Sequence, residues 1–162
     1  MRRAGARGLI LLVIAGAAGI WAWRTFFPSD EQQIRRRLDE IIALVNEPAE
    51  GLDAVARAAQ IGRAFTDDVV VELRRGAEIR GKDALMGMAA RVQPRTTGAN
   101  FRVRDVTVTV EGEAAQTDLT ATWSDPQDPD QPLDAAELRL QWVERDGDWL
   151  IARVERVDVL KR

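Results

Sequence analysis

Spacing of the apolar residues divides the chain into one unbroken hydrophobic run, three helical stripes and a series of alternating strands. The run is Gly8–Trp23, GLILLVIAGAAGIWAW, sixteen residues without a charge. As a helix it spans about 24 Å, against a bilayer hydrocarbon core of about 30 Å. Arg24 can snorkel outward, which lets Thr25, Phe26 and Phe27 complete the last turns. The expectation is therefore a transmembrane signal anchor over residues 8–27, with Trp21, Trp23 and the two phenylalanines as an aromatic belt. The competing reading is a signal peptide cleaved at Ala15-Gly16-Ala17, which leaves a very short signal and a Trp-rich new terminus. Arg2, Arg3 and Arg7 precede the run and Arg24 alone follows closely. Positive residues stay inside. Residues 1–7 are thus expected in the cytoplasm, and a domain over 28–162 on the periplasmic or extracellular side of the cytoplasmic (inner) membrane.

Beyond the anchor, Ser29 with Gln32 forms a capping-box pattern, and Ile34, Leu38, Ile41, Ile42 and Val45 make a single helical stripe that stops at Asn46-Glu47-Pro48. Arg35, Arg36 and Arg37 read as a solvated face, with Arg35–Asp39 and Arg36–Glu40 as i,i+4 pairs. A second helix is expected from Leu52 to Phe65, with Leu52, Val55, Ala58 or Ala59, Ile61 or Gly62, and Phe65 inward. Val69–Leu73 and Ala77–Arg80 read as a hairpin turning at Arg75-Gly76. A third helix follows from Gly81-Lys82-Asp83, with Leu85, Met88, Ala89 and Val92 at helical spacing. Four long strands complete the pattern: Phe101–Val110, Ala114–Trp123, Ala136–Glu144 and Trp149–Leu160. Phase slips place bulges near Arg104-Asp105 and near Glu155-Arg156. Asp146-Gly147 is a two-residue hairpin signal. Ser124–Asp134 reads as a long, acidic, Pro-rich loop. Its aspartates lack the glycine and terminal glutamate of a calcium-binding loop.

Charge and composition narrow the chemistry. The net charge is −3, and the three arginines before the apolar run leave the remainder more acidic than the whole. An acidic domain repels polyanions, which excludes nucleic acid as a partner. The chain has no cysteine, histidine or tyrosine. Imidazole bases, thiolate or imidazole metal sites, Ser–His–Asp catalysis, phenolic acids and disulfides are therefore all ruled out. No cofactor or metal is expected.

Three phrases in the right order carry a family resemblance. Phe65-Thr66-Asp67-Asp68-Val69 resembles a helix-to-strand corner, Arg80-Gly81-Lys82-Asp83-Ala84-Leu85 a lead-in to a third helix, and Val143–Ile151, VERDGDWLI, a closing hairpin of the nuclear transport factor 2-like superfamily, also called SnoaL-like or ketosteroid-isomerase-like. The resemblance covers about Ser29 to Leu160. The Phe26–Glu31 junction is similar to bacterial membrane-anchored members of unassigned function. The resemblance implies an α+β fold: a cone of three helices packed on a strongly bent, mostly antiparallel sheet, with a pocket inside. It also implies, for many members, dimerisation through the open sheet face.

Of the family's chemistries, those relying on Tyr or on His with Tyr are absent by composition. The Asp/Arg/water hydrolase type can be assembled only from Arg104, Asp105, Asp118 and Arg153, which alternation and the bulge place as surface ion pairs on the sheet's outer face. No catalytic residue is assigned. The leading expectation is non-catalytic protein–protein assembly or scaffolding at the cell envelope, as a homodimer or with an envelope protein. The alternative is an apolar-ligand pocket lined by Leu119, Trp123, Leu138, Leu140 and Trp142. A hydrolase- or isomerase-like enzyme is the third reading.

Overall fold

The computed structural model describes residues 29–48, 51–72, 76–92, 100–125 and 128–157. The expected anchor over residues 8–27 lies outside these. Among the described residues no helix is long and apolar enough to cross a membrane. Three helices, α1 (Asp30–Asn46), α2 (Gly51–Gly62) and α3 (Lys82–Val92), accompany one six-stranded sheet. Its strands are β1 (Phe65–Glu72), β2 (Glu78–Arg80), β3 (Asn100–Glu111), β4 (Ala114–Asp125), β5 (Asp128–Arg145) and β6 (Asp148–Val157), in spatial order β2-β1-β6-β5-β4-β3. The sheet is mixed: β1 runs parallel to β6, and every other neighbour pair is antiparallel.

α1 begins as its sequence dictates. Ser29 Oγ accepts from the Gln32 amide at 3.4 Å, and the Gln32 side chain accepts from the Ser29 amide at 3.3 Å, closing a reciprocal cap on two otherwise orphaned donors. It ends where Glu47 adopts an extended conformation before Pro48, as the residue preceding a proline must. Ile34 and Leu38 are buried against Leu119, Leu140, Trp142, Trp149 and Ile151, and Ile41 and Ile42 pack on the same cluster. Asn46 fastens the far end of α1 to the sheet, because its side chain both donates to the Phe101 carbonyl and accepts from the Phe101 amide, each at 2.8 Å. Arg35 pairs with Glu31 at 2.9 Å rather than with Asp39, and its Nη2 also reaches the Val106 carbonyl at 3.2 Å. The Arg36–Glu40 pair forms at 3.5 Å.

α2 departs from its expected phase and length. Arg57, Ala58 and Gly62 are buried, whereas Leu52 and Val55 are 88% and 60% exposed. The small residues explain the rotation. A Cβ at Gly62 would lie 3.0 Å from Met86 Sδ, so α2 presses its smallest face onto α3 and leaves its larger side chains outside. The helix also stops at Gly62. Phe65 opens β1 opposite Ile151, and the Ile151 amide donates to the Ala64 carbonyl at 2.8 Å.

The long strands hold their expected alternation. Ala115, Thr117, Leu119 and Ala121 on β4 are buried, in register with Trp142, Leu140, Leu138 and Ala136 on β5. The β3 bulge falls where the phase slip predicts it: the register with β4 shifts between Arg104 and Thr107, and Asp105 adopts φ 54°. The slip in β6 sits earlier than expected. Arg153 pairs with Gln141 and Ile151 with Trp142, so Ala152 is the inserted residue. At the β5–β6 turn, Asp146 and Gly147 both have positive φ, 55° and 84°, as a type I′ turn requires. The expected loop at Ser124–Asp134 is mostly strand. Ser124 and Asp125 close β4, and β5 begins at Asp128, with two register shifts on the way. Cross-strand pairing with β4 carries the chain through a composition that reads as loop.

Candidate functional site

The two faces of the sheet differ completely. On the helix-covered face, Leu119, Leu140 and Trp142 lie in the core cluster, while Trp123 and Leu138 are half-buried and packed against it. The expected pocket-lining set therefore shares one face, beneath Ile34 and Leu38 of α1. Trp142 is 1% exposed, and its indole N–H donates to Thr117 Oγ1 at 2.9 Å. Phe101 packs against Trp123 in a tilted arrangement, with ring centroids 5.1 Å apart and the planes at 55°.

The outer face is mostly polar, with Val70, Val143, Leu150 and Val157 as half-buried apolar positions on it. Asp118, Arg139 and Glu155 stand opposite one another across β4, β5 and β6. Arg139 Nε donates to Asp118 Oδ1 at 2.8 Å, and Gln116 donates to Asp118 Oδ2 at 2.7 Å. The β3 bulge turns Asp105 toward the same place, where its carboxylate accepts from the Thr120 hydroxyl at 3.3 Å. Asp105, Asp118, Glu137 and Arg139 line one shallow depression of about 390 Å³. A second depression of about 440 Å³ opens nearby, at Gln116, Gln141 and the bulged Ala152.

Arg153 is surrounded by acid. Its Nη2 donates to Glu72 Oε1 at 2.5 Å, its Nε lies 2.5 Å from Glu155 Oε1, and Glu78 Oε1 is 3.9 Å away. The Glu72 and Glu155 carboxylates hold the Arg153 guanidinium above its ordinary pKa, so it stays charged at every accessible pH.

The structure thus brings Asp105 and Asp118 together and leaves Arg153 in a separate cluster. Arg104, in register with Thr120, is exposed on the β3 edge. The arginine that pairs with Asp118, and lines the same depression as Asp105, is Arg139, which sequence reasoning missed. Alternation puts it opposite Leu138 and Leu140, but only the β4–β5 register, hidden by the Pro-rich connection, shows that Asp118 is its neighbour. Two carboxylates and a guanidinium are the residue types of a water-activating site. The ion pair here is open, however, with Asp118 and Arg139 side chains 42% and 38% exposed. Such a site neither excludes water nor leaves the Asp118 carboxylate free as a base. Among the described residues no cluster of three His, Cys, Asp or Glu could hold a metal ion.

A helix-backed, bulged mixed sheet in this element order is the nuclear transport factor 2-like class of fold. A sequence profile of the SnoaL-like domain matches residues 34–155, and the chain belongs to that family. Solved structures agree in fold. An NTF2-like protein with a cystatin-like fold from Novosphingobium aromaticivorans is 17% identical, with 84% of this chain and 86% of that one covered and a TM-score of 0.65. An NTF2-like protein of unknown function from Pseudomonas putida KT2440 is 16% identical, with 79% and 85% covered and a TM-score of 0.63. A protein provisionally described as a calcium/calmodulin dependent protein kinase II association domain, from Xanthomonas campestris, is 13% identical, with 79% and 86% covered and a TM-score of 0.59. No curated protein matches the chain significantly.

Proposed function

We propose that this SnoaL-like domain is tethered by residues 8–27 to the cytoplasmic membrane, stands on its periplasmic or extracellular side, and serves non-catalytic protein–protein assembly, in the simplest case as a homodimer through the outer face of the sheet. The observation that carries the reading is the distribution of charge on that face. Arg102 and Arg104 occupy the β3 edge, opposite Thr122 and Thr120. On β1, β2 and β6, toward the other edge, Glu72, Glu78 and Glu155 outnumber Arg153 and Arg80, which they pair with, and leave that side acidic. A two-fold axis lying in the interface plane, along the strand direction, sets the basic edge of one copy over the acidic side of its partner, twice over. A surface that is self-complementary in this way suits an isologous interface.

Two further observations support assembly over the alternatives. The apolar candidates for a ligand pocket pack beneath Ile34 and Leu38, and the Asp105–Asp118–Arg139 group sits in an open depression. Light scattering of the full chain in detergent, corrected for micelle mass, should give a dimer, and Arg102→Glu with Arg104→Glu should give monomers. A wild-type chain that is monomeric throughout defeats the homodimer. A C-terminal alkaline phosphatase fusion tests the orientation independently, since it is active only with the domain outside.

A further inference from the structure

We propose that the exposed face of α2 docks on the lipid surface of the same bilayer, so that the domain lies against the membrane rather than swinging from its anchor. The inference rests on the anchoring reading above. Leu52, Val55 and Val45 are the exposed large hydrophobic side chains among the described residues, and all three lie at the α1–α2 corner. On α2 the pattern continues: Leu52, Val55, Ala56 and Ala59, spaced i, i+3, i+4, i+7, are all exposed. The one charge that α2 buries is Arg57, which is 5% exposed. The helix is therefore turned with its apolar stripe toward the outside, the arrangement of a helix lying in a membrane interface rather than of one facing water. A groove of about 470 Å³ between α2 and α3 extends the stripe past Gly62 and Met86; Arg63, Lys82 and Asp83 also line it, and Lys82 is paired with Asp67. Arg63 has an aliphatic stem long enough to lie along apolar surface with the charge at headgroup level.

The chain outside the described residues says what covers this face. The apolar segment ends at Phe27, and Ser29 already caps α1. Pro28 alone separates them, which leaves no linker to lift the domain away. α1 is about 25 Å long at 1.5 Å per residue, and α2 packs on it. A stripe of two large and two small side chains holds a free protein on lipid poorly. Held to the bilayer by the anchor of its own chain, it docks intramolecularly, at the high effective concentration that a short tether imposes.

The absence of cysteine from the chain gives a clean test. Ala56→Cys and, as a control on the β3–β4 turn, Glu113→Cys are each labelled with an environment-sensitive fluorophore in the full chain. The labelled chains are reconstituted into phosphatidylethanolamine–phosphatidylglycerol vesicles carrying a doxyl group near the head of the acyl chain. The Ala56 probe should lose most of its emission to the doxyl lipid and resist aqueous iodide, and the Glu113 probe should do the reverse. Adding Leu52→Glu and Val55→Glu, both at exposed positions, should return the Ala56 probe to water while the chain still floats with the vesicles. An iodide-accessible Ala56 probe on a floating chain overturns the docking and leaves the anchor standing. A probe shielded from iodide yet untouched by doxyl lipid means a protein occupant, a second copy or residues 8–27, and overturns it too. Chains that fail to float with the vesicles overturn both readings.

Discussion

Replacing Thr117 by valine tests the interior at its most constrained polar contact. Thr117 is wholly buried in the middle of the sheet, flanked by Val108 and Leu140, and its hydroxyl accepts the Trp142 indole N–H at 2.9 Å. Valine has the same shape and keeps the β-branch that a strand favours, so packing changes little. The acceptor disappears, and the indole donor, 1% exposed, has no water to turn to. Stranding such a donor costs about 1–3 kcal/mol, while a buried methyl in place of a hydroxyl returns about 0.8 kcal/mol. The net expectation is a loss of about 0.2–2.2 kcal/mol, with a midpoint of about 1.2 kcal/mol. At a urea m-value of about 1.5 kcal/mol/M, that is a fall of about 1 M in the unfolding midpoint. The assay is urea unfolding of the chain from Pro28 onward, followed by tryptophan fluorescence. Thr117→Val and Trp142→Phe combined should be milder than the sum of the two, because the double variant leaves no stranded donor. A Thr117→Val chain as stable as the parent, with an unchanged m-value, refutes the reasoning.

Trp149 is equally buried, at 3%, but its indole N–H has no hydrogen-bond partner. Trp149→Phe should therefore destabilise less than Trp142→Phe by about 1 kcal/mol in the same assay, since only the latter breaks a made bond. Asp105 sits at φ 54° in the β3 bulge, a conformation that penalises ordinary side chains by about 1–2 kcal/mol. Asp105→Val should lower stability by about that much and Asp105→Gly should not, as judged by thermal unfolding. Asn46→Ala removes both bonds to Phe101, each worth about 1 kcal/mol. Hydrogen exchange should show the Phe101 amide losing protection while amides deep in β4 keep theirs.

The parts of the fold most legible in the sequence were those governed by local chemistry. The Ser29–Gln32 cap, the Asn46–Pro48 stop, the Asp146-Gly147 turn and the β3 bulge each follow from a few adjacent residues. Each appears where the residues put it. What misled was tertiary. The stripe from Leu52 to Phe65 suggested a helix with its large residues inward. Contact with α3 selected the small face instead, because Gly62 and Ala58 allow an approach that Leu52 and Val55 would block. The β6 slip was placed at Glu155-Arg156, yet the strand absorbs its extra residue at Ala152. Both sites are compatible with the alternation of β6 alone, and only the partner strand decides between them. The same limit hid Arg139. Its relation to Asp118 is a matter of register, set across a connection whose composition resembles a loop.

That register also bears on what the outer face can do. The face is a lattice of partly exposed ion pairs: Asp118 with Arg139, Glu72 and Glu155 with Arg153, and Arg80 with Glu78. Pairs of this kind contribute little to folding, typically under about 1 kcal/mol each, so stability does not explain them. In the proposed homodimer they would set orientation, because a wrong partner meets like charge at several points together. If the basic β3 edge of one copy faces the acidic β1–β2–β6 side of another, association must weaken as salt rises. The Debye length falls from about 30 Å at 0.01 M to about 3 Å at 1 M, and attraction between rim charges is screened over that range. Sedimentation equilibrium of the full chain in detergent, run across those salt concentrations, should show the dimer dissociating while the fold, followed by circular dichroism, stays intact. Reversing both Arg102 and Arg104 to glutamate should abolish the salt dependence together with the dimer. Association that tightens with salt would mean that apolar burial drives it, and the charge-matched face would then have to give way to another surface.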